Sequence, residues 1–275
     1  MKLFVTGGTG FVGSHVLRQS IAHGHEVLAL RRPGSAPRVA LEHEPEWIDG
    51  PLDGAYGDRL HGVEVFIHLA SHTPNPPYDT LTKCLYWNVY APIALVEQCW
   101  QAGVRKFVMA GSCFEYGLTA ARVERLSTDA PLEPNLSYPT SKAAASAAFQ
   151  GFAREKCAFL KILRMFQVYG EGEQATRFWP SLRQAALAGR DFPMTAGEQI
   201  RDFTPVEFVA SEFVRSLDFS GAQAGVPTVQ HVKTGTPTSL LTFSQYWWKE
   251  WQATGKLLPG AVPYRPNELM TLVSE

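Results

Sequence analysis

Long apolar runs are missing from this chain of 275 residues. Nothing approaches the roughly eighteen uninterrupted apolar residues of a membrane-spanning helix, so no membrane partner is expected. Cysteine is scarce: Cys84, Cys99, Cys113 and Cys157 form no C-x-x-C pair and no cluster with histidine. That excludes a disulfide framework and a zinc site, and predicts reduced thiols and no metal. An excess of one charge is also absent. The formal net charge of −1 gives no general attraction to nucleic acid, and no such partner is expected. Internal repeats and low-complexity tracts are lacking too. Met1–Lys2 runs directly into an apolar strand, which speaks against a signal peptide and for the cytoplasm.

What is present is an alternation of strand and helix signals. Leu3–Thr6 is a short apolar run ending in glycines, and Phe11–His23 carries helical spacing that stops at Gly24. Strands are expected at Glu26–Leu30, Glu46–Ile48, Val63–Leu69, Val104–Ala110 and Ala158–Leu163. Helices are expected at Thr80–Gln101, with Pro92 bending it or starting a new register, and at Tyr138–Lys156. The pattern implies a doubly wound parallel sheet covered by helices, a Rossmann-type α/β fold. Beyond Val168 a helix at Phe178–Ala188 precedes short apolar pieces broken by Gly and Pro. The expected division is therefore a dinucleotide-binding part, 1–168, and a smaller, interleaved substrate-binding lobe, 169–275.

The first strand and helix are joined by Thr6-Gly-Gly-Thr-Gly-Phe-Val-Gly13. Gly7 permits a tight turn, Gly10 lets backbone approach a pyrophosphate, and Gly13 lets helix and strand pack closely. Free N–H groups at the helix start, from Phe11 and Val12 onward, then meet the phosphates. Three spaced glycines alone also describe an ordinary turn; their place in the first strand–turn–helix gives them meaning. The second strand ends in Arg31-Arg32, where an acidic residue would accept the ribose hydroxyls of NAD. Two guanidiniums suit a 2′-phosphate, so NADP(H) is the expected cofactor, with NAD(H) the alternative. The bland reading is a solvated basic turn.

Tyr138 and Lys142 stand four residues apart at a helix start, on one face, with Ser137 the expected N-cap. A neighbouring ammonium favours the ionised phenol, which otherwise titrates near pH 10. Ser112 follows the fifth strand, at the sheet edge where ligands of open α/β folds bind. Its hydroxyl can hold a carbonyl oxygen while Tyr138 protonates it. Taken singly, these residues also read as a half-buried tyrosine, a surface lysine and a turn serine.

The glycine turn, His68-Leu-Ala-Ser71, Gly111-Ser-Cys-Phe-Glu-Tyr-Gly117, Tyr138–Lys142 and Arg164-Met-Phe-Gln-Val-Tyr-Gly170 resemble the extended short-chain dehydrogenase/reductases, in particular the NAD-dependent epimerase/dehydratase family. The resemblance extends to Arg201-Asp-Phe-Thr-Pro-Val206 and Pro263-Tyr-Arg-Pro266. It implies that Ser112, Tyr138 and Lys142 are catalytic, with Lys142 also holding the nicotinamide ribose. It implies that Leu52, Leu69, Ala70, Ser71 and Met165 line the cofactor. Thr73, Gln167, Arg201 and Arg265 would meet a nucleotide-sugar substrate, and a homodimer is implied as well.

Departures narrow the activity. The acidic pair that removes water in the 4,6-dehydratase branch is replaced by Cys113 and Phe114, and Glu115 should point elsewhere. The expected reaction is NADPH-dependent reduction of a nucleotide-linked 4-keto-6-deoxyhexose. A nucleotide-sugar epimerase with tightly held cofactor is the second reading, and a non-catalytic NADP sensor the third. Trp247, Trp248 and Trp251 are read as packing residues, and Arg201 alternatively as an ion-pair partner of Asp202.

Overall fold

The computed structural model describes residues 1–266 and 268–275. Along the first part run β1 (Lys2–Thr6), α1 (Phe11–Ala22), β2 (Glu26–Arg31), β3 (Glu46–Asp49) and β4 (Val65–His68). They are followed by α2 (Leu81–Leu85), α3 (Ala91–Gln101), β5 (Lys106–Ser112), α4 (Ser137–Lys156) and β6 (Phe159–Met165). Next come β7 (Gln167–Tyr169), α5 (Phe178–Leu187), β8 (Phe192–Met194), β9 (Ile200–Arg201), β10 (Phe203–Pro205), α6 (Val206–Arg215) and β11 (Thr228–Val232). The chain closes with β12 (Thr238–Ser239), α7 (Leu240–Glu250), β13 (Leu257–Pro259) and β14 (Thr271–Leu272).

Seven strands form one parallel sheet in the order β11-β6-β5-β4-β1-β2-β3. Its strands are apolar on both faces because helices cover both. In β1, Phe4 joins one core with Leu28, Phe66, Phe107 and Phe149. Its neighbours Leu3 and Val5 join the other, with Val16, Leu17, Val209 and Phe213. Side chains alternate across the pleat, so one strand feeds two cores. The connection reverses at β1, whose neighbours are β2 and β4, and this leaves a crevice at the carboxyl ends of the strands.

Three local features differ from the expected elements. The segment predicted as one helix over 80–101 is divided: a π turn at Tyr86–Tyr90 separates α2 from α3. Here the Ala91 N–H reaches the Tyr86 carbonyl, and Pro92 has no N–H with which to continue an ordinary register. The expected cap Ser137 lies inside α4; Leu136 occupies the cap position, and the Ser137 hydroxyl donates to the Asp79 carbonyl at 2.7 Å. Strand β5 runs on to include Gly111 and Ser112, whose register partners on β6 are Arg164 and Met165.

The later chain serves two places. Strand β11 lies beside β6 in the large sheet, and α6 packs against α1. The remainder builds small sheets: β7 with β10, β9 between β12 and β14, and β8 with β13. Trp179, Tyr169, Trp247 and Trp251 pack together there, with Trp247 and Trp251 stacked at 5.0 Å. Among the described residues, no helix is long and apolar enough to cross a membrane.

Candidate active site

The glycine turn is built as its spacing predicts. Gly7 has φ +77°, and a Cβ there would lie 2.4 Å from the Ala70 nitrogen. A Cβ on Gly13 would stand 2.0 Å from the Gly7 carbonyl oxygen. Both positions therefore exclude side chains. Gly10 is different: a Cβ would meet only the Gly7 oxygen, at 3.1 Å, so its outer face is an open cradle. Gly10 is the N-cap of α1 and has no side-chain cap, and the first helical N–H groups, those of Phe11, Val12 and Gly13, have no partner within the helix. Such a cradle fits a pyrophosphate. Leu69 and Ala70 lie against the turn, with the Leu69 N–H donating to the Thr6 carbonyl at 3.0 Å.

Arg31 does not present a free guanidinium. Its Nε donates to Asp49 at 2.8 Å, and its guanidinium lies 4.6 Å from the centre of the Trp47 ring. Asp49 is its register partner on β3, so the sheet places a carboxylate at the very edge that the sequence marks as basic. Arg32 is exposed beside it. At the neighbouring turn the Tyr56 hydroxyl donates to the Pro51 carbonyl, and Leu52 is half-buried.

The three predicted catalytic residues converge where β5 meets α4. Ser112, Tyr138 and Lys142 are 7%, 6% and 4% exposed. The Ser112 Oγ accepts the Phe114 N–H at 3.2 Å, which leaves its own proton to donate. Burial pushes the Tyr138 phenol well above its usual pKa, and the hydroxyls of Ser71 and Ser112 pull against that shift. Lys142 Nζ donates to the Ala110 carbonyl at 2.7 Å, and burial holds its pKa below the ordinary value while Glu115 opposes this. In this arrangement the groups that lower the phenol are the two hydroxyls and not the Lys142 ammonium, to which the sequence reading gave that part.

Other residues complete the site that the sequence left unnoticed. Asn88, on the π turn, accepts the His72 N–H at 2.7 Å and donates to Ser141 Oγ at 2.9 Å, tying the Ser71–Tyr78 loop to α4. Tyr78 stacks on Tyr138, with centroids 5.5 Å apart and planes at 30°. Burial raises the Tyr78 pKa, and Arg177 and Arg265 both pull it down, so their charges converge on this phenol. The only linear cue for Asn88 is a polar residue just before Pro92 in an apolar helix. For Tyr78 and Arg177 no linear cue exists.

The expected substrate residues divide. Thr73 sits in the same loop with φ +45°, and accepts the Asp79 N–H at 3.4 Å. Gln167 opens β7, opposite Phe203. Met165 ends β6 beside Ser112. Arg201 spends its donors on the Ile200 and Leu269 carbonyls, at 2.9 and 2.5 Å, and on Glu268 at 3.3 Å. Its ion-pair partner is therefore Glu268 and not Asp202, whose carboxylate instead accepts from Thr234 and Gly235. Cys113 is buried, its thiol pushed up to about 12 chiefly by desolvation.

Comparison with known proteins gives consistent matches over the length of the chain. It is 26% identical over 277 residues to a CDP-abequose synthase of Salmonella muenchen, covering 98% of this chain and 87% of that protein. It is 25% identical over 302 residues to a UDP-glucose 4-epimerase of Corynebacterium glutamicum, covering 100% and 87%. Among solved structures it is similar to TunA, an NAD-dependent NDP-hexosamine 5,6-dehydratase, with 27% identity, a TM-score of 0.84, and 100% and 88% coverage. MoeE5 in complex with UDP-glucuronic acid and NAD gives 26% identity, a TM-score of 0.83, and 100% and 90% coverage. These neighbours use or hold NAD, which overturns the NADP(H) preference drawn from Arg31-Arg32. The physical reason is cross-strand: Asp49 and Trp47 already occupy the Arg31 guanidinium. The model of the NAD dependent epimerase/dehydratase family matches residues 3–226, and the chain belongs to that family.

Proposed function

We propose that this protein is an NAD-dependent enzyme that acts on a nucleotide sugar, and that its reaction is epimerisation at a sugar hydroxyl carbon through a transient ketone. The observation that carries the reading is the buried meeting of Ser112, Tyr138 and Lys142 at the carboxyl edge of the sheet, beside the open cradle at Gly10. The names of the relatives support the choice of reaction, since several are UDP-glucose 4-epimerases.

In this reading Gly7, Gly10, Gly13 and the N–H groups of Phe11 and Val12 hold the pyrophosphate. Leu52, Leu69, Ala70, Ser71 and Met165 line the rest of the cofactor. When bound, NAD supplies the acceptor and donor of a hydride. Tyr138, in its ionised form, takes the hydroxyl proton of the sugar at Oη and returns it when the alcohol reforms; the Ser71 and Ser112 hydroxyls are the neighbours that favour that form against burial. Ser112 Oγ donates to the same oxygen and steadies its charge. Lys142 anchors the ribose, its ammonium held in place by the Ala110 carbonyl. Thr73, Gln167 and Arg265 surround the sugar and diphosphate, whereas Arg201, bound to Glu268 and the Leu269 carbonyl, supports that wall from behind.

Dehydration fits the residues less well. At the two positions after Ser112 stand a thiol pushed up to about 12 and a phenylalanine, so neither acts as acid or base near neutrality. Net reduction of a nucleotide-linked keto sugar is the second reading, favoured by the likeness of part of the chain, 39% identical over 117 residues, to a putative dihydroflavonol 4-reductase. The test is incubation of a panel of UDP-, CDP- and dTDP-hexoses with NAD, and of the corresponding 4-keto sugars with NADH, followed by chromatography and nicotinamide absorbance. An epimer appearing with no net change in reduced nicotinamide supports the proposal. Stoichiometric consumption of NADH with a keto sugar supports the second reading, and no product from any sugar overturns both.

A further inference from the structure

Directly behind the catalytic turn lies a carboxylate that the reaction scheme does not use. Glu115 is 0% exposed, and none of its oxygens faces solvent. Its Oε1 accepts the Ser112 N–H at 2.7 Å. Its Oε2 accepts the Ser146 hydroxyl at 2.8 Å and Arg164 Nε at 2.9 Å. Ser146 stands on α4 four residues after Lys142 and eight after Tyr138, so all three share one helical face. One carboxylate thus joins the strand end that carries Ser112, the helix that carries Tyr138 and Lys142, and strand β6.

We propose that Glu115 is a positioning residue for the reaction: it ties the strand end that carries Ser112 to the helical face that carries Tyr138 and Lys142. The inference rests on the catalytic reading of those three residues. Removing a carboxylate from a buried pair leaves Arg164 uncompensated, so a plain structural role also predicts instability. What separates the two roles is charge. The groups facing Glu115 are Arg164 from β6, Lys142 and Tyr138 from α4, and Cys113 and Tyr116 from its own turn. Among the described residues, Arg164 is the cation in contact with the Glu115 carboxylate. It also donates to the Tyr116 hydroxyl at 2.8 Å and the Thr128 carbonyl at 3.0 Å, so it is held in place independently of Glu115. The negative charge of Glu115 raises the pKa of both Tyr138 and Lys142. Its loss lowers both.

The test compares wild type with Glu115→Gln and with the doubly neutral Glu115→Gln/Arg164→Gln, which removes the uncompensated cation and keeps the experiment readable if the single variant unfolds. Two measurements are made on folded protein. The first is the pH profile of kcat and KM with NAD and the sugar that wild type turns over. The second needs no turnover: the ultraviolet titration of tyrosinate, with the Tyr138→Phe background subtracted. The expected result is a fall in kcat of about 10- to 100-fold with KM little changed, as for a small misplacement of reacting groups. The basic limb of the profile and the Tyr138 titration both shift to lower pH. A folded variant whose kcat and Tyr138 titration match wild type overturns the proposal, as does one that loses only thermal stability. If wild type turns over no sugar, the functional reading fails, whereas the Tyr138 titration still decides the role of Glu115.

Discussion

At the residue scale, the chemistry of this site is one of hydroxyls under burial. Tyr138 sits in surroundings that resist its ionisation, and the Ser71 and Ser112 hydroxyls are the local opposition. Tyr138→Phe keeps the stacked ring against Tyr78 and removes only the oxygen. Turnover is expected to fall by about 10² to 10⁴, while NAD affinity by calorimetry stays within a few-fold of wild type. A variant with wild-type turnover would remove Tyr138 from the mechanism. Tyr138 and Lys142 were legible because a four-residue spacing at a helix start is a linear pattern with a fixed spatial meaning. Arg31 was misread because its partners Asp49 and Trp47 come from β3, and which strand lies beside β2 is decided by tertiary packing. The charge of Arg177 reaches Tyr78 for similar reasons, from a segment far away in the chain.

At the scale of elements, the fold was read from alternating apolar runs, since these feed the two faces of a covered sheet. The breaks were harder to read. Pro92 announces a disturbance, yet a π turn that aims Asn88 at the Ser71–Tyr78 loop depends on Ser141 and His72 being there to receive it. The connection between β7 and α5 gives a measurable example of tertiary context. Glu173 pairs with Arg177 at 3.5 Å, but its Oε2 is buried without a hydrogen-bond partner. Burial raises its pKa from 4.5 to about 7. A carboxyl that binds its proton more tightly when folded contributes stability that is fully present below pH 4.5 and is lost as pH rises through about 7. Glu173→Gln should therefore gain Tm relative to wild type as the buffer moves from about pH 5 to about pH 8. A Tm difference that stays flat across that range would show that Glu173 ionises freely.

For the whole molecule, one buried and one half-buried imidazole oppose folding in acid. His68 hydrogen-bonds Thr6 Oγ1 through Nδ1 at 2.7 Å, and desolvation brings its pKa to about 3, with Lys142 adding to the shift. His231 meets the Tyr116 hydroxyl at 2.5 Å and falls to about 4, through desolvation and then the charges of Arg164 and Lys233. Both are folded as neutral rings, whereas the unfolded chain protonates them near 6.5. Stability is then lost progressively as pH drops below that value. Urea midpoints should fall between about pH 6.5 and pH 4.5, and the slope should flatten in a His231→Gln variant. An unchanged slope would mean that other groups govern the acid transition.

The placement of β11 has a consequence for how the protein is made. Thr228–Val232 supplies the outermost rung beside β6, long after Phe159–Met165 has left the ribosome. Until that late segment arrives, the nascent sheet carries an open hydrogen-bonding rim along β6, next to the strand that bears Ser112. An uncovered rim of this kind invites pairing with another chain. Translation arrest or truncation ahead of residue 228 thus leaves the rim bare along β6, whereas completion through Val232 covers it and moves the open edge one strand further from Ser112.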